Sequence, residues 1–143
     1  MNTKDYIKEF EKRVKAVEDP AFMFDIVSST HAKQVHRIHT EGKNGNGVAI
    51  GSYENEPYKK KRRKKGLPTS TVILKFTNQL QSDFANGLLK TKTGFVTGVK
   101  NPTNSKKVEG MVDLYGDETY KLTKDEKKEL NNRLRRKLIK ALS

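Results

Sequence analysis

The chain has no cysteine and no tryptophan, and only 33% of its 143 residues are hydrophobic. Without cysteine, disulfides, thiolate zinc sites and cysteine nucleophiles are excluded. No apolar run approaches the roughly 20 residues of a membrane-spanning helix, and residues 1–29 carry acidic side chains where a signal peptide needs an apolar stretch. We therefore expect a protein that makes no membrane contact and is made in a cytoplasm. Its core should be small, with extended loops, tails or stabilisation by partner subunits.

Acidic residues are also scarce relative to basic ones. The chain has 17 Asp and Glu against 30 Lys and Arg, which gives a formal net charge of +13. Such an excess favours an anionic partner, either a nucleic acid or an acidic protein surface. By its length the chain is a single domain, residues 1–143. Within it we expect an N-terminal arm helix at residues 1–20 and an extended loop region, rich in glycine and basic residues, at 42–66.

The most structured stretch by pattern lies in the middle of the chain. Residues 72–76 are rich in β-branched, aliphatic and aromatic side chains and predict a buried strand. Asn78 is a favourable N-cap and Gln81 follows three residues later, so a short helix is expected to begin there. The expected core and assembly residues of this stretch and of the C-terminal helix are Val72, Leu74, Phe76, Leu80, Phe84, Leu130, Leu134 and Leu138.

Helical periodicity recurs at both ends of the chain. Thr3 begins an amphipathic pattern that Asp19-Pro20 interrupts, and a second helical segment covers residues 21–41. Residues 106–115 have apolar side chains at helical spacing. A capping box from Thr123 to Glu126 opens the last helix, whose leucines recur every four residues.

Short strands are predicted around the glycines. Residues 42–51 contain four glycines and indicate a turn that leads into a strand at 48–50. Residues 88–92 and 95–100 are typical of a β-hairpin. The predicted fold class is α+β, with a small antiparallel β-sheet packed against a long N-terminal helix, a short central helix and a C-terminal helix.

Seven consecutive basic residues form the most charged segment. Like charges repel, so we expect this tract to be exposed or mobile unless a partner neutralises it, and to be dispensable for folding. A solubilising loop, a DNA contact and a docking site for an acidic neighbour all remain open. The tract consists of Lys59, Lys60, Lys61, Arg62, Arg63, Lys64 and Lys65.

Residues that could carry chemistry are few. His36 and His39 are spaced to share a helical face, but no carboxylate or cysteine completes a metal site, so these two and His31 are interpreted as surface or interface histidines. A metal-dependent nuclease is poorly supported, because the acidic residues are scattered. We expect no enzyme activity, no cofactor and no metal. The one acidic cluster is Asp113, Asp117 and Glu118.

A succession of short motifs runs along the chain. It consists of Arg37-Ile38 to Gly42, then Gly47 and Gly51, Tyr53 and Tyr58 with basic residues up to Gly66, VILKFTNQLQSDF, a segment ending in Gly116, and the capped C-terminal helix. This succession resembles the neck or tail-completion proteins of tailed bacteriophages, also called virion-morphogenesis or head–tail joining proteins. In that family a strand enters a Thr-Gly-x-Leu-x-x-Ser-like turn and helix, and the matching residues here are Thr77, Asn78, Leu80 and Asp83, with Ser82 one position early.

The resemblance implies an α+β subunit that is repeated as a cyclic homo-oligomer between the capsid portal and the tail. Its partners would be copies of itself, a portal or head-side adaptor, tail-side proteins and, non-specifically, DNA. Such a protein would be assembled in the host bacterial cytoplasm and reside in the virion neck, without an active site or cofactor. The alternative is a small basic nucleic-acid-binding protein, although no known nucleic-acid-binding motif is present.

Overall fold

Helices account for most of this α+β fold. The computed structural model describes residues 2–74 and 78–143. It is 66% helical with a small two-stranded antiparallel sheet, which confirms the predicted fold class. The elements in chain order are helix α1 (Thr3–Glu18), a 3-10 turn (Pro20–Met23), helix α2 (Phe24–His36), a π-helical turn (Arg37–Glu41), helix α3 (Glu56–Lys64), helix α4 (Asn78–Ala85), strand β1 (Leu89–Lys90), strand β2 (Phe95–Val96), helix α5 (Pro102–Tyr115), a 3-10 turn (Asp117–Tyr120) and helix α6 (Lys124–Leu142).

Polar side chains cap most of the helices at their N-termini. The Asn2 side chain accepts from the backbone of α1, Asn55 does the same for α3 and Asn101 for α5. Thr123 and Glu126 form the predicted capping box of α6, each side chain accepting from the other residue's backbone N–H. These caps satisfy backbone donors that a helix leaves free, and they fix where each helix begins.

Helix α6 packs along α2 and also contacts α1, which precedes the break at Pro20. The break is confirmed, since a 3-10 turn begins at Pro20 and separates α1 from α2. Polar contacts fix an antiparallel register between α2 and α6. Lys137 donates to Asp25 at 2.8 Å, and Lys33 pairs with Glu129 at 2.6 Å.

A buried ion pair joins the end of α2 to the start of α6. Arg37 Nε donates to Glu126 Oε1 at 2.8 Å, and Nη2 donates to Glu126 Oε2 at 3.2 Å. The same guanidinium donates to the carbonyl oxygens of Lys43 and Lys121, each at 2.7 Å. The second Glu126 oxygen accepts from the Thr123 backbone. One arginine therefore ties four segments of chain together.

The hydrophobic core is formed by side chains from α2, the π-helical turn, α4 and the loops that carry Ile50, Val72 and Leu74. Partly buried residues from α5 and the second 3-10 turn, including Met111, Tyr115 and Tyr120, pack against it. The buried cluster is Val35, Ile38, Ile50, Val72, Leu74 and Phe84.

Asp83 connects α4 to the start of α5. Its carboxylate accepts from the Asn104 side chain at 3.0 Å and from the backbone N–H groups of Lys100 and Asn101 at 3.1 and 3.0 Å. The hydrogen bond from Asn104, followed by those from the two backbone groups, holds the Asp83 pKa below its ordinary value of 3.8. The ionised form thus fastens the two helices together.

The strand predicted at residues 72–76 is wrong for the part that the structure describes. Val72, Ile73 and Leu74 are buried as expected but lie in no strand. The Ile73 N–H donates to the Tyr53 hydroxyl at 3.4 Å rather than to a neighbouring strand. Leu74 has a φ of 49°, a left-handed conformation that interrupts extended chain. The rest of the predicted strand and the N-cap position of α4 lie outside the described residues.

Three other boundaries also differ from the prediction. The strand at 48–50 is reduced to an isolated bridge between Lys43 and Ala49. The hairpin is present, but its strands are only two residues long. Helix α5 begins at Pro102, four residues early, because Asn101 caps it and proline suits a first helical turn.

Candidate functional site: the basic helix and the apolar surfaces

The basic tract is folded into α3, which corrects the expectation of an extended loop for this part of residues 42–66. The Asn55 side chain accepts from the Tyr58 N–H at 2.9 Å and caps the helix, and Pro57 lies in its first turn. The tract residues Lys59 to Lys64 all lie within α3, and Lys65 is its C-cap. The helix therefore fixes the direction in which each of these side chains leaves the backbone, which a flexible segment would not do.

Arg62 attaches α3 to the rest of the protein. Its side chain is fully buried, and its guanidinium carbon lies 4.2 Å from the centre of the Tyr53 ring and 5.8 Å from that of Tyr58. Its Nε donates to the Pro68 carbonyl oxygen at 2.7 Å. A stacked, hydrogen-bonded arginine is a structural group. Arg62 is thus part of the fold, which argues against the prediction that the tract is dispensable for folding.

Glu56 forms ion pairs with basic residues on one side of α3. Its carboxylate pairs with Lys59 at 3.0 Å and with Arg63 at 3.4 Å. Hydrogen bonds from Lys59 and then Arg63 lower the pKa of Glu56. Arg62 faces the interior, so both arginines of the tract have partners within the subunit.

Three lysines remain on the outward side of α3. Lys60, Lys61 and Lys64 are exposed, and no acidic side chain in residues 2–74 and 78–143 forms an ion pair with any of them. At about 100° of rotation per residue, they fall within an arc of about 100° opposite Arg62. We call Lys60, Lys61 and Lys64 the lysine face.

An aromatic groove lies between α3 and α5. Tyr53 and Tyr58 meet edge to face with ring centres 5.4 Å apart, and the groove is completed by Met111, Leu114 and Tyr115 of α5. Burial raises the pKa of both Tyr53 and Tyr115, which keeps their hydroxyl groups neutral. Asn55 and Tyr58, at the start of α3, line the groove, and no member of the lysine face does.

The expected core and assembly residues divide into two groups. Val72, Leu74, Leu80 and Phe84 are buried, whereas Phe76 lies outside the described residues. The α6 leucines are only partly buried, because that helix packs on one side alone against α2 and α1. This second group is Leu130, Leu134 and Leu138.

Large apolar side chains are as often exposed as buried. Among the described residues, nine hydrophobic side chains are buried and nine large ones are exposed. Single exposed apolar residues are ordinary, but contiguous patches are typical of interfaces. The exposed residues are Tyr6, Ile7, Phe10, Phe24, Val48, Leu89, Val96, Leu114 and Ile139.

The first turns of α1 form the clearest apolar patch. Tyr6 is 64% exposed, Ile7 50% and Phe10 42%, and no residue of α1 is buried. These three side chains share one side of the helix, whereas Lys8 and Lys12 lie on the opposite side. We call Tyr6, Ile7 and Phe10 the arm patch.

The histidines do not form a metal site. His31 and His39 are buried, so their interpretation as surface residues is wrong. His31 Nε2 bonds the Phe84 carbonyl oxygen at 2.8 Å, and His39 packs against Phe84 and Tyr120. Only His36 is exposed. In the described part of the chain, no three His, Asp or Glu side chains are grouped as a metal site would require.

Sequence reasoning missed the two buried arginines. Arg37 lies within the apolar pattern of Val35 and Ile38, and a cation at such a position indicates a buried partner. Arg62 lies four residues after Tyr58, one helical turn away. Asn55 followed by Pro57 is itself a helix-start signal that could have revealed α3.

Comparison of the chain with protein-family models, curated proteins and solved structures found no significant match. Within residues 2–74 and 78–143, no helix combines the length and apolar character needed to cross a membrane.

Proposed function

We propose that this chain is a structural subunit that associates with copies of itself into a ring in the neck of a tailed bacteriophage. The ring joins the portal or head-side adaptor to the tail-side proteins and surrounds the DNA channel, and its work consists of contacts rather than catalysis. The resemblance of the motifs between Arg37 and Gly116 supports the neck position. The arm patch is the observation that carries self-assembly, since an amphipathic helix without a buried residue has surface to offer a neighbour.

A second copy of the chain is the partner that best fits the arm patch. Glu9 and Glu11 border the patch, as do Lys4 and Arg13, and Arg13 pairs with Glu9 at 3.5 Å. The charges of α1 nearly balance, and almost all of the net charge of +13 belongs to the rest of the chain. An apolar patch on a nearly neutral helix can therefore contact the cationic body of a neighbouring subunit without strong like-charge repulsion.

The hairpin supplies a second contact surface of the same kind. Leu89 and Val96 form a cross-strand pair, and both are exposed, as is the nearby Phe24. A two-stranded sheet leaves both edges unpaired and is marginally stable by itself. Burial against a neighbouring subunit would cover the apolar pair and stabilise the hairpin.

We expect Tyr6→Gln with Phe10→Gln to abolish or strongly weaken self-association, because these substitutions remove the apolar contact while glutamine preserves helix propensity. The matched control is Lys8→Gln with Lys12→Gln on the opposite side of α1, which should assemble like the unaltered chain. Mass measured by size exclusion with light scattering, alongside helicity by circular dichroism, tests this. An arm-patch variant that retains its helicity and assembles normally would contradict the proposed contact.

The alternative function is a small basic nucleic-acid-binding protein, and the lysine face is the observation that favours it. On that alternative a monomer would bind DNA with a strong dependence on salt and would form no ring. Ring formation without DNA distinguishes the two functions in favour of the neck subunit.

A further inference from the structure

We infer that the lysine face of α3 binds the phosphate backbone of duplex DNA without reading its sequence, and that Lys59, Arg62 and Arg63 of the tract do not take part. This inference rests on the proposed function, because it assigns the surface of the subunit that meets the DNA in the channel. It divides a tract of seven cations into groups that hold the fold and groups that are available to a ligand.

The division follows from the contacts within α3. Arg62 is buried against tyrosine rings, and Lys59 and Arg63 share the carboxylate of Glu56. Lys60, Lys61 and Lys64 keep their charge exposed and uncompensated within the described residues. Since Arg62 fixes the rotation of the helix, these three ammonium groups stay on one side of it.

The spacing of the face suits a phosphate backbone. Lys60 and Lys64 are one turn apart, or about 6 Å along the helix axis. Duplex DNA carries one negative charge for about every 1.7 Å of its own axis, so each flexible lysine can reach a separate phosphate. Three contacts per subunit, repeated around a ring, would follow the duplex without requiring a particular register.

The chemistry of the face favours DNA over an acidic protein. Protein interfaces are anchored by aromatic side chains and arginine and are depleted of lysine. Both arginines of the tract are already engaged within the subunit, and the face itself carries only lysines. Lysine acts as a hydrated point charge and needs no fixed geometry. Contacts to phosphate oxygens carry no direct sequence information, so binding through this face is independent of sequence.

The test is binding of the full chain to a fluorescent 30-base-pair duplex, measured by anisotropy across a range of salt concentrations. Lys60→Gln, Lys61→Gln and Lys64→Gln together should flatten the slope of log K against log salt by roughly 3 for each subunit that contacts the duplex, at about 0.9 per lost phosphate contact. Extrapolated from 1 M salt, this corresponds near 0.1 M salt to an affinity loss of roughly 500-fold for each such subunit. Two duplexes of unrelated sequence should bind equally.

The matched control removes three exposed lysines from the first turns of α6, which are interleaved with acidic residues. The control variant should keep most of the affinity and slope although its net charge falls by the same amount. An equal loss in both variants, or no loss in the lysine-face variant, overturns the inference. The mass of each variant is measured in the same samples, so a chain that binds DNA through this face as a monomer contradicts the ring and not the DNA contact. The control substitutions are Lys124→Gln, Lys127→Gln and Lys128→Gln.

Discussion

Replacement of Arg37 by methionine is expected to lower the free energy of unfolding by about 3–5 kcal/mol, the usual cost of removing one partner from a buried ion pair. The Arg37 and Glu126 side chains are only 8% and 11% exposed. Without the guanidinium, the Glu126 carboxylate loses two of its three donors, and the carbonyl oxygens of Lys43 and Lys121 lose one each. Methionine fills similar volume but satisfies none of these acceptors.

The same pair of helices provides the control for this prediction. Lys33 of α2 pairs with Glu129 of α6 at 2.6 Å, but both side chains are about half exposed. Lys33→Met should therefore cause a much smaller loss, because solvent already screens both charges. Urea denaturation followed by circular dichroism measures both variants. Equal losses would show that the buried ion pair does not hold α2 to α6.

Gly42→Ala is the second substitution with a large expected effect, a destabilisation of roughly 2–4 kcal/mol that combines backbone strain with steric overlap. Gly42 ends the π-helical turn with a left-handed φ of 66°. A Cβ atom there would lie 2.4 Å from the Val72 carbonyl oxygen and 2.8 Å from the Thr71 side chain. The carbonyl cannot move freely, because Val72 belongs to the buried core.

Gly47→Ala separates the two contributions to this effect. Gly47 also has a positive φ, of 75°, but nothing lies within 4 Å of a Cβ atom at that position. Its substitution should lower the free energy of unfolding only by the contribution of backbone strain, about 1–2 kcal/mol. Thermal or urea unfolding of the two variants gives the difference. If Gly47→Ala lowered the free energy of unfolding as much as Gly42→Ala, the close approach of Val72 to the π-helical turn would add nothing to the effect, and the prediction would be wrong.

The helices were predictable where local signals alone determine them. The apolar spacing of α1, the break at Pro20 and the Thr123 capping box depend on residues within one or two turns of each other. Their positions in the structure agree with the prediction. The partly buried leucines of α6 were identified for the same reason, although periodicity cannot tell how deeply a helical face is covered.

The errors arose where distant residues decide the structure. The apolar run beginning at Val72 has strand composition, but its backbone bonds a loop and a tyrosine hydroxyl, and Leu74 turns away. The basic tract repels itself as a local sequence, but Tyr53 provides a ring on which Arg62 stacks. The amino-acid composition of a segment does not reveal such distant partners. Tertiary contacts overrode β-propensity in the first case and charge repulsion in the second.

The candidate surfaces were only partly visible in the sequence. All members of the lysine face belong to the tract that the sequence indicated, but the contacts of Glu56 and Arg62 are needed to separate them from Lys59, Arg62 and Arg63. The arm patch follows from the amphipathic pattern of α1. Its exposure does not, since the same pattern also fits a helix packed into a core.

Electron microscopy of the purified full chain without DNA, combined with its mass in solution, tests the central claim most directly. The account predicts closed annular particles of one size, whose mass is a whole multiple of the subunit mass. A chain that remains strictly monomeric at the highest soluble concentration, with the arm patch still exposed to solvent, would contradict it.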